Sequence, residues 1–79
     1  MATKRVKLTF PKDLIREPVI FTMAKKFDVM PNIRHAKVTE SLGEVLLELE
    51  GAENKLEEGI AYLQERGVKV EAVEGDFAG

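Results

Sequence analysis

The chain has no cysteine and a single histidine. The first absence removes disulfides, thiolate metal sites, iron–sulfur ligation within this chain and thiol nucleophiles together. The lone His35 with scattered carboxylates is a poor metal set, because a structural or catalytic metal needs three or four converging ligands. Charge of one sign is also lacking. A net charge of -2 offers no field that would draw a nucleic acid or an anionic membrane surface to the protein. No apolar run approaches the ~18 residues of a membrane span. The polar start Met1-Ala2-Thr3-Lys4-Arg5 stands where a secretory leader would carry an apolar core of about 7–15 residues. A cytoplasmic location is the expectation, with no nucleic acid partner and no direct membrane insertion.

What is present suits one small globular domain. Hydrophobic residues make up 44% and charged residues 33%, which is too apolar and too balanced in charge for disorder. A chain of 79 residues is too short for two cores and buries roughly 60% of its unfolded surface, so its stability margin is thin. A single domain spanning 1–79 is expected, with its core in about 4–74 and a frayed, aperiodic tail at 75–79.

Hydrophobic periodicity divides that domain into six elements. Val6, Leu8 and Phe10 alternate with Lys7 and Thr9, the period of a half-buried strand. Pro11-Lys12-Asp13 breaks it. Val19, Ile20, Met23, Ala24 and Phe27 recur at helical spacing and predict a helix over 17–27, with Pro18 in its first turn and Asp28 at its exit. A second strand is expected from about Asn32 to Thr39. There Ile33 has odd parity while Ala36 and Val38 have even parity, which predicts a bulge near Arg34 and His35. After the turn Ser41-Leu42-Gly43, Val45, Leu47 and Leu49 mark a third strand. Leu56, Ile60 and Leu63 give a second helix over 52–66. Gly59 falls on its apolar face, costing about 1 kcal/mol relative to alanine, which a close helix-to-sheet approach would explain. Gly67 is placed to cap the helix, and Val68, Val70 and Ala72 form a fourth strand.

The order βαββαβ predicts an α+β, ferredoxin-like sandwich. Two right-handed crossovers put both helices on one face of a four-stranded antiparallel sheet of spatial order 4-1-3-2. Such a fold does not fix a function. RNA binding on its open face would need aromatic residues in the third strand, which here reads Glu44-Val45-Leu46-Leu47-Glu48-Leu49-Glu50. Metal carriage would need cysteines after the first strand. Phosphate hydrolysis would need a glycine-rich loop of backbone donors, and the stretch 11–16 has none. The carboxylates show no pairing at apolar positions that would suit acid–base catalysis, so no enzyme activity and no cofactor are expected.

The most unusual stretch is Phe27-Asp28-Val29-Met30-Pro31-Asn32-Ile33-Arg34-His35-Ala36. Asn32 offers an amide donor and a carbonyl acceptor together, a combination that suits the carboxylate and ammonium of an amino acid. Met30 and Ile33 can supply an apolar wall. The alternative is that Pro31-Asn32 is only turn chemistry.

In this stretch, and in ordered fragments along nearly the whole chain, the sequence resembles the NIL domain family. Asn32-Ile33 stands where that family carries its Asn-Ile-Leu signature, with Arg34 in place of the apolar third residue. Leu8-Thr9-Phe10, Glu17-Pro18-Val19-Ile20, Leu47-Glu48-Leu49-Glu50-Gly51 and Gly67-Val68-Lys69-Val70-Glu71 fit the family pattern in order. The resemblance implies an ACT-like regulatory module that pairs as a homodimer and binds methionine, or a related sulfur amino acid, near the dimer interface. It implies a ligand site at Asn32, with Ile33, Met30 and Arg34 around it. The family also occurs linked to ferredoxin-type modules and as free-standing proteins, and Phe10-Pro11-Lys12 looks closer to those. The other implied reading is therefore an interaction module for an iron–sulfur, sulfur-metabolism or transporter-related protein, working without a small ligand.

Overall fold

Alternating burial builds the sheet from its centre. In the computed structural model, which describes residues 1–74, strand β1 runs from Ala2 to Pro11 and strand β3 from Leu42 to Gly51. They pair antiparallel along their whole length, with Val6 opposite Leu47 and Leu8 opposite Val45. Val6, Leu8, Phe10, Val45, Leu47 and Leu49 all point to one side and are buried. Arg5, Lys7, Thr9, Glu44, Glu48 and Glu50 share the other side by the same period of two.

The helices close over the apolar side. Helix α1 spans Val19–Phe27 and helix α2 spans Glu53–Glu65. Met23, Leu56 and Leu63 join Leu8, Leu47 and Leu49 as fully buried side chains in one core cluster. Strand β2, Met30–Val38, pairs with the far side of β3, and the short strand β4, Lys69–Ala72, pairs with β1. The sheet order is β2-β3-β1-β4, all antiparallel. This is the expected order read from the other edge, and the fold is the expected α+β sandwich.

Several boundaries move for local reasons. Helix α1 starts at Val19 rather than Glu17, because the residue before a proline is driven out of helical geometry. A 3-10 turn, Lys12–Leu14, fills the connection after β1 and buries Leu14. Strand β2 begins at Met30, two residues before Asn32. Val68 is buried but precedes the fourth strand. The expected exit of α1 is present: Asp28 takes a left-handed conformation at φ 55°, and its backbone N–H donates to the Ala24 carbonyl. At the end of α2, Gly67 has φ 102°, while the Gly67 and Val68 N–H groups donate to the Gln64 and Leu63 carbonyls at 3.0 Å, the glycine cap the sequence suggests. The tail expected to fray, 75–79, lies outside the described residues.

Gly59 requires a correction. The neighbour that demands a glycine there is not the sheet but the other helix. A Cβ at Gly59 would stand 3.0 Å from Met23 Sδ and 3.4 Å from Met23 Cγ, and Met23 is fully buried. Gly59 thus leaves room for the buried Met23 side chain of α1 against α2. Replacing it gains about 1 kcal/mol of helix propensity but overpacks a closed site, which costs about 1–3 kcal/mol. Gly59→Ala is therefore expected to destabilise the protein by about 1 kcal/mol in urea unfolding, and to become neutral or stabilising in a Met23→Ala background, where the clash is gone.

Candidate functional site on the edge strand

Strand β2 is the longer of the two edge strands, neither of which has a buried residue. It stands at the edge of the sheet, so one side of its backbone has no partner among the described residues. The other edge is also open, but β4 has only 4 residues and sets Lys69 and Glu71 outwards. Helix α1 makes only limited contact with β2. Met30, Ile33 and Val38 are 62%, 56% and 61% exposed, and none of its 9 residues is buried.

The predicted bulge is present. The register steps from Ile33 opposite Leu47 to His35 opposite Leu46, leaving Arg34 as the extra residue. The slip restores parity: Pro31 and Ile33 before it, and Ala36 and Val38 after it, all lie opposite core-facing residues of β3 and its flanking Gly43. Met30, Asn32, His35 and Lys37 lie opposite Glu50, Glu48, Leu46 and Glu44, on the open face. His35 is an exposed strand residue.

The four residues singled out from the sequence consequently do not converge on one pocket. Ile33 belongs to the helix side and Asn32 to the open face. Met30 lines a shallow depression with Met1, Asp28, Val29, Pro31 and Glu50. Arg34 turns to the open face and donates through Nε to Glu48 Oε1, while Arg5 Nε of β1 donates to Glu48 Oε2 at 3.1 Å. One carboxylate thus ties β2, β3 and β1 together. Its side chain is 14% exposed. The hydrogen bonds from Arg34 and then Arg5 hold the Glu48 carboxyl below its ordinary pKa, against the partial burial that would raise it.

The best-formed concavity was not anticipated from the sequence. An apolar hollow of about 230 Å³ opens on the helix side, between the start of α1 and the end of β2. Phe10, Ile15, Pro18, Val19, Phe21 and Val38 line it, with Glu17 at the wall. Glu17 is held by Arg66 Nη2 at 3.0 Å. Phe21 is the signal that sequence reading could have used: it is 65% exposed and falls outside the apolar stripe of its own helix. Within one chain this hollow and Asn32 stand at opposite ends of β2, roughly 20 Å apart at ~3.3 Å per residue.

Comparison with known proteins bears on this arrangement. The NIL domain family profile matches residues 4–72. A methionine import ATP-binding protein, MetN 1, of Listeria innocua is 40% identical over 75 residues, which cover 90% of this chain and 22% of that protein. The methionine import ATP-binding protein MetN of Coxiella burnetii is 32% identical over 72 residues, covering 86% of this chain and 20% of that protein. The chain thus spans about a fifth of the length of these relatives. Among solved structures, the C-terminal domain of an ABC transporter ATP-binding protein from Enterococcus faecalis superposes with a TM-score of 0.78 at 21% identity, covering 92% of this chain and 86% of that one.

The Glu48 cluster gives this region a defined pH response. A carboxyl whose pKa is lowered by folding contributes stability that is complete above the unfolded value and disappears as pH falls through the folded value. Wild-type protein is expected to unfold at higher urea than Glu48→Gln at neutral pH. The gap between their midpoints should close as pH falls below the ordinary carboxylate value of 4.5. A gap that persists unchanged in acid would contradict the ionic assignment.

Proposed function

This chain belongs to the NIL domain family, and from that membership together with the exposed edge strand we propose that it is a non-catalytic, cytoplasmic regulatory domain that binds methionine or a related sulfur amino acid as a homodimer. The observation that carries the reading is the state of β2. It bears the Asn32-Ile33 sequence, its outer backbone has no partner among the described residues, and its helix-side residues Ile33 and Val38 are left exposed. Paired strands in a second copy would cover both.

A two-fold antiparallel pairing of β2 with a second copy has one register that pairs the whole strand and respects both faces. Setting Ile33 opposite the second copy's Ala36 sets Pro31 opposite Val38 and Asn32 opposite Lys37. Pro31, Ile33, Ala36 and Val38 of both copies then stay on the helix side. This pairing also joins the parts that a single chain separates. The Pro31-Asn32-Ile33 segment of the second copy arrives beside Val38, on the rim of the apolar hollow. A thioether chain suits that hollow, and the second copy's Asn32 comes to the same end of β2, with its side chain on the open face of the sheet. The names of the relatives, methionine import ATP-binding proteins, support methionine as the first ligand to try and a transporter-related protein as partner.

A second reading draws on the same free edge. A strand of another protein, such as a ferredoxin-type or sulfur-metabolism partner, adds to β2 with no small ligand. The unpaired backbone along β2 is the feature it shares with the first reading.

Two measurements decide between them. Light scattering at tens of micromolar is expected to give twice the monomer mass, and a replacement of Ile33 by Lys should give a monomer. A monomeric wild type counts against the homodimer. Calorimetric titration with methionine is expected to give saturable heat that Asn32→Ala weakens by about tenfold, the scale of one lost hydrogen-bond partner to a charged group. Absence of heat with millimolar methionine, homocysteine or cysteine would leave the strand-addition reading in place.

A further inference from the structure

We infer that Arg34, Glu48 and Arg5 form a side-chain strap that fixes the bulged edge strand, and that Arg34 is a positioning residue for Asn32. The ligand consequence rests on the function proposed above; the strap itself does not.

The argument begins with how little else holds β2. No side chain of this strand is buried, so the hydrophobic term that fixes β1 and β3 is weak here. Its backbone ladder to β3 is broken once, at the bulge between Ile33 and His35. A bulge is a place where an edge strand can slip, because register is weakly specified when neither face is buried. A slip by one residue would carry Asn32 to the helix side and Ile33 to the open face.

Arg34 is the residue that the bulge leaves over, and its guanidinium reaches Glu48. Glu48 stands directly opposite Asn32 in the ladder. The contact therefore fixes the strand within two residues of Asn32. Glu48 is itself anchored, because Arg5 of the central strand β1 holds its other oxygen at 3.1 Å. The Arg34 side chain is 51% exposed, but the Glu48 carboxylate it meets is 14% exposed and shared with Arg5, and a carboxylate held by two guanidinium groups is better fixed than one in an isolated surface pair. With an apolar side chain at position 34 the loop of the bulge would have no tether to Glu48, and only the ladder would hold the register.

Amide hydrogen exchange read by mass spectrometry tests this on the free protein. Arg34→Leu is expected to speed exchange of the β2 amides that face β3 by about three- to tenfold, with the core amides of β1 and β3 unchanged, as a local opening. Glu48→Gln should do the same, and Arg34→Lys, which keeps the charge, should restore part of the protection. Unchanged β2 protection in Arg34→Leu overturns the strap, and so does equal loss in Arg34→Leu and Arg34→Lys. In a parallel methionine titration, Arg34→Leu should weaken binding while leaving the apolar hollow intact. Failure of wild type to bind any amino acid would sink the proposed function, while the exchange result would still decide the strap.

Discussion

The antiparallel ladder between β1 and β3 is the constraint from which the other features follow. It aligns Val6, Leu8 and Phe10 with Leu47, Val45 and Gly43 across the centre of the sheet. Both helices must cover that apolar strip, because a small domain has little other surface to bury. Met23, Leu56 and Leu63 are spent on doing so. The close approach of α1 and α2 at Gly59 narrows the helical layer further. The least covered strands are the two edges, β2 and β4, neither of which has a buried residue.

That geometry turns a packing limit into a surface. Met30, Ile33 and Val38 of β2 and Phe21 of α1 are exposed apolar side chains, and an apolar hollow lies between α1 and the end of β2. Polar groups do for the edge strand what burial does elsewhere: the bulge releases Arg34, and the Glu48 carboxylate links three strands. The open face carries further pairs such as Lys7–Glu44 and Lys69–Glu71, at 3.4 and 3.7 Å. These are solvent-exposed and weaker determinants of structure.

The chain matches the NIL domain family over residues 4–72. The regulatory role proposed above needs a rigid part and a part whose state a partner can change. Here the rigid part is the buried core around Leu8, Leu47 and Leu49. The changeable part is an edge strand held by a ladder, a bulge and one carboxylate, features that put it at the low-stability end of the molecule.

Read alone, the sequence determined the element order, the sheet order and the presence of the bulge, because each depends on local periodicity: period two in β1 and β3, period 3.6 in the helices, and a parity slip at Arg34. It also placed Asp28 and Gly67 at helix ends, since left-handed conformations have few occupants. Only the tertiary structure decided that Gly59 answers to Met23 rather than to the sheet, and that the apolar hollow lies between the start of α1 and Val38. Those facts depend on which surfaces meet across the fold. A hydrophobic pattern records that a residue will be buried or exposed, but not which distant residue will lie against it.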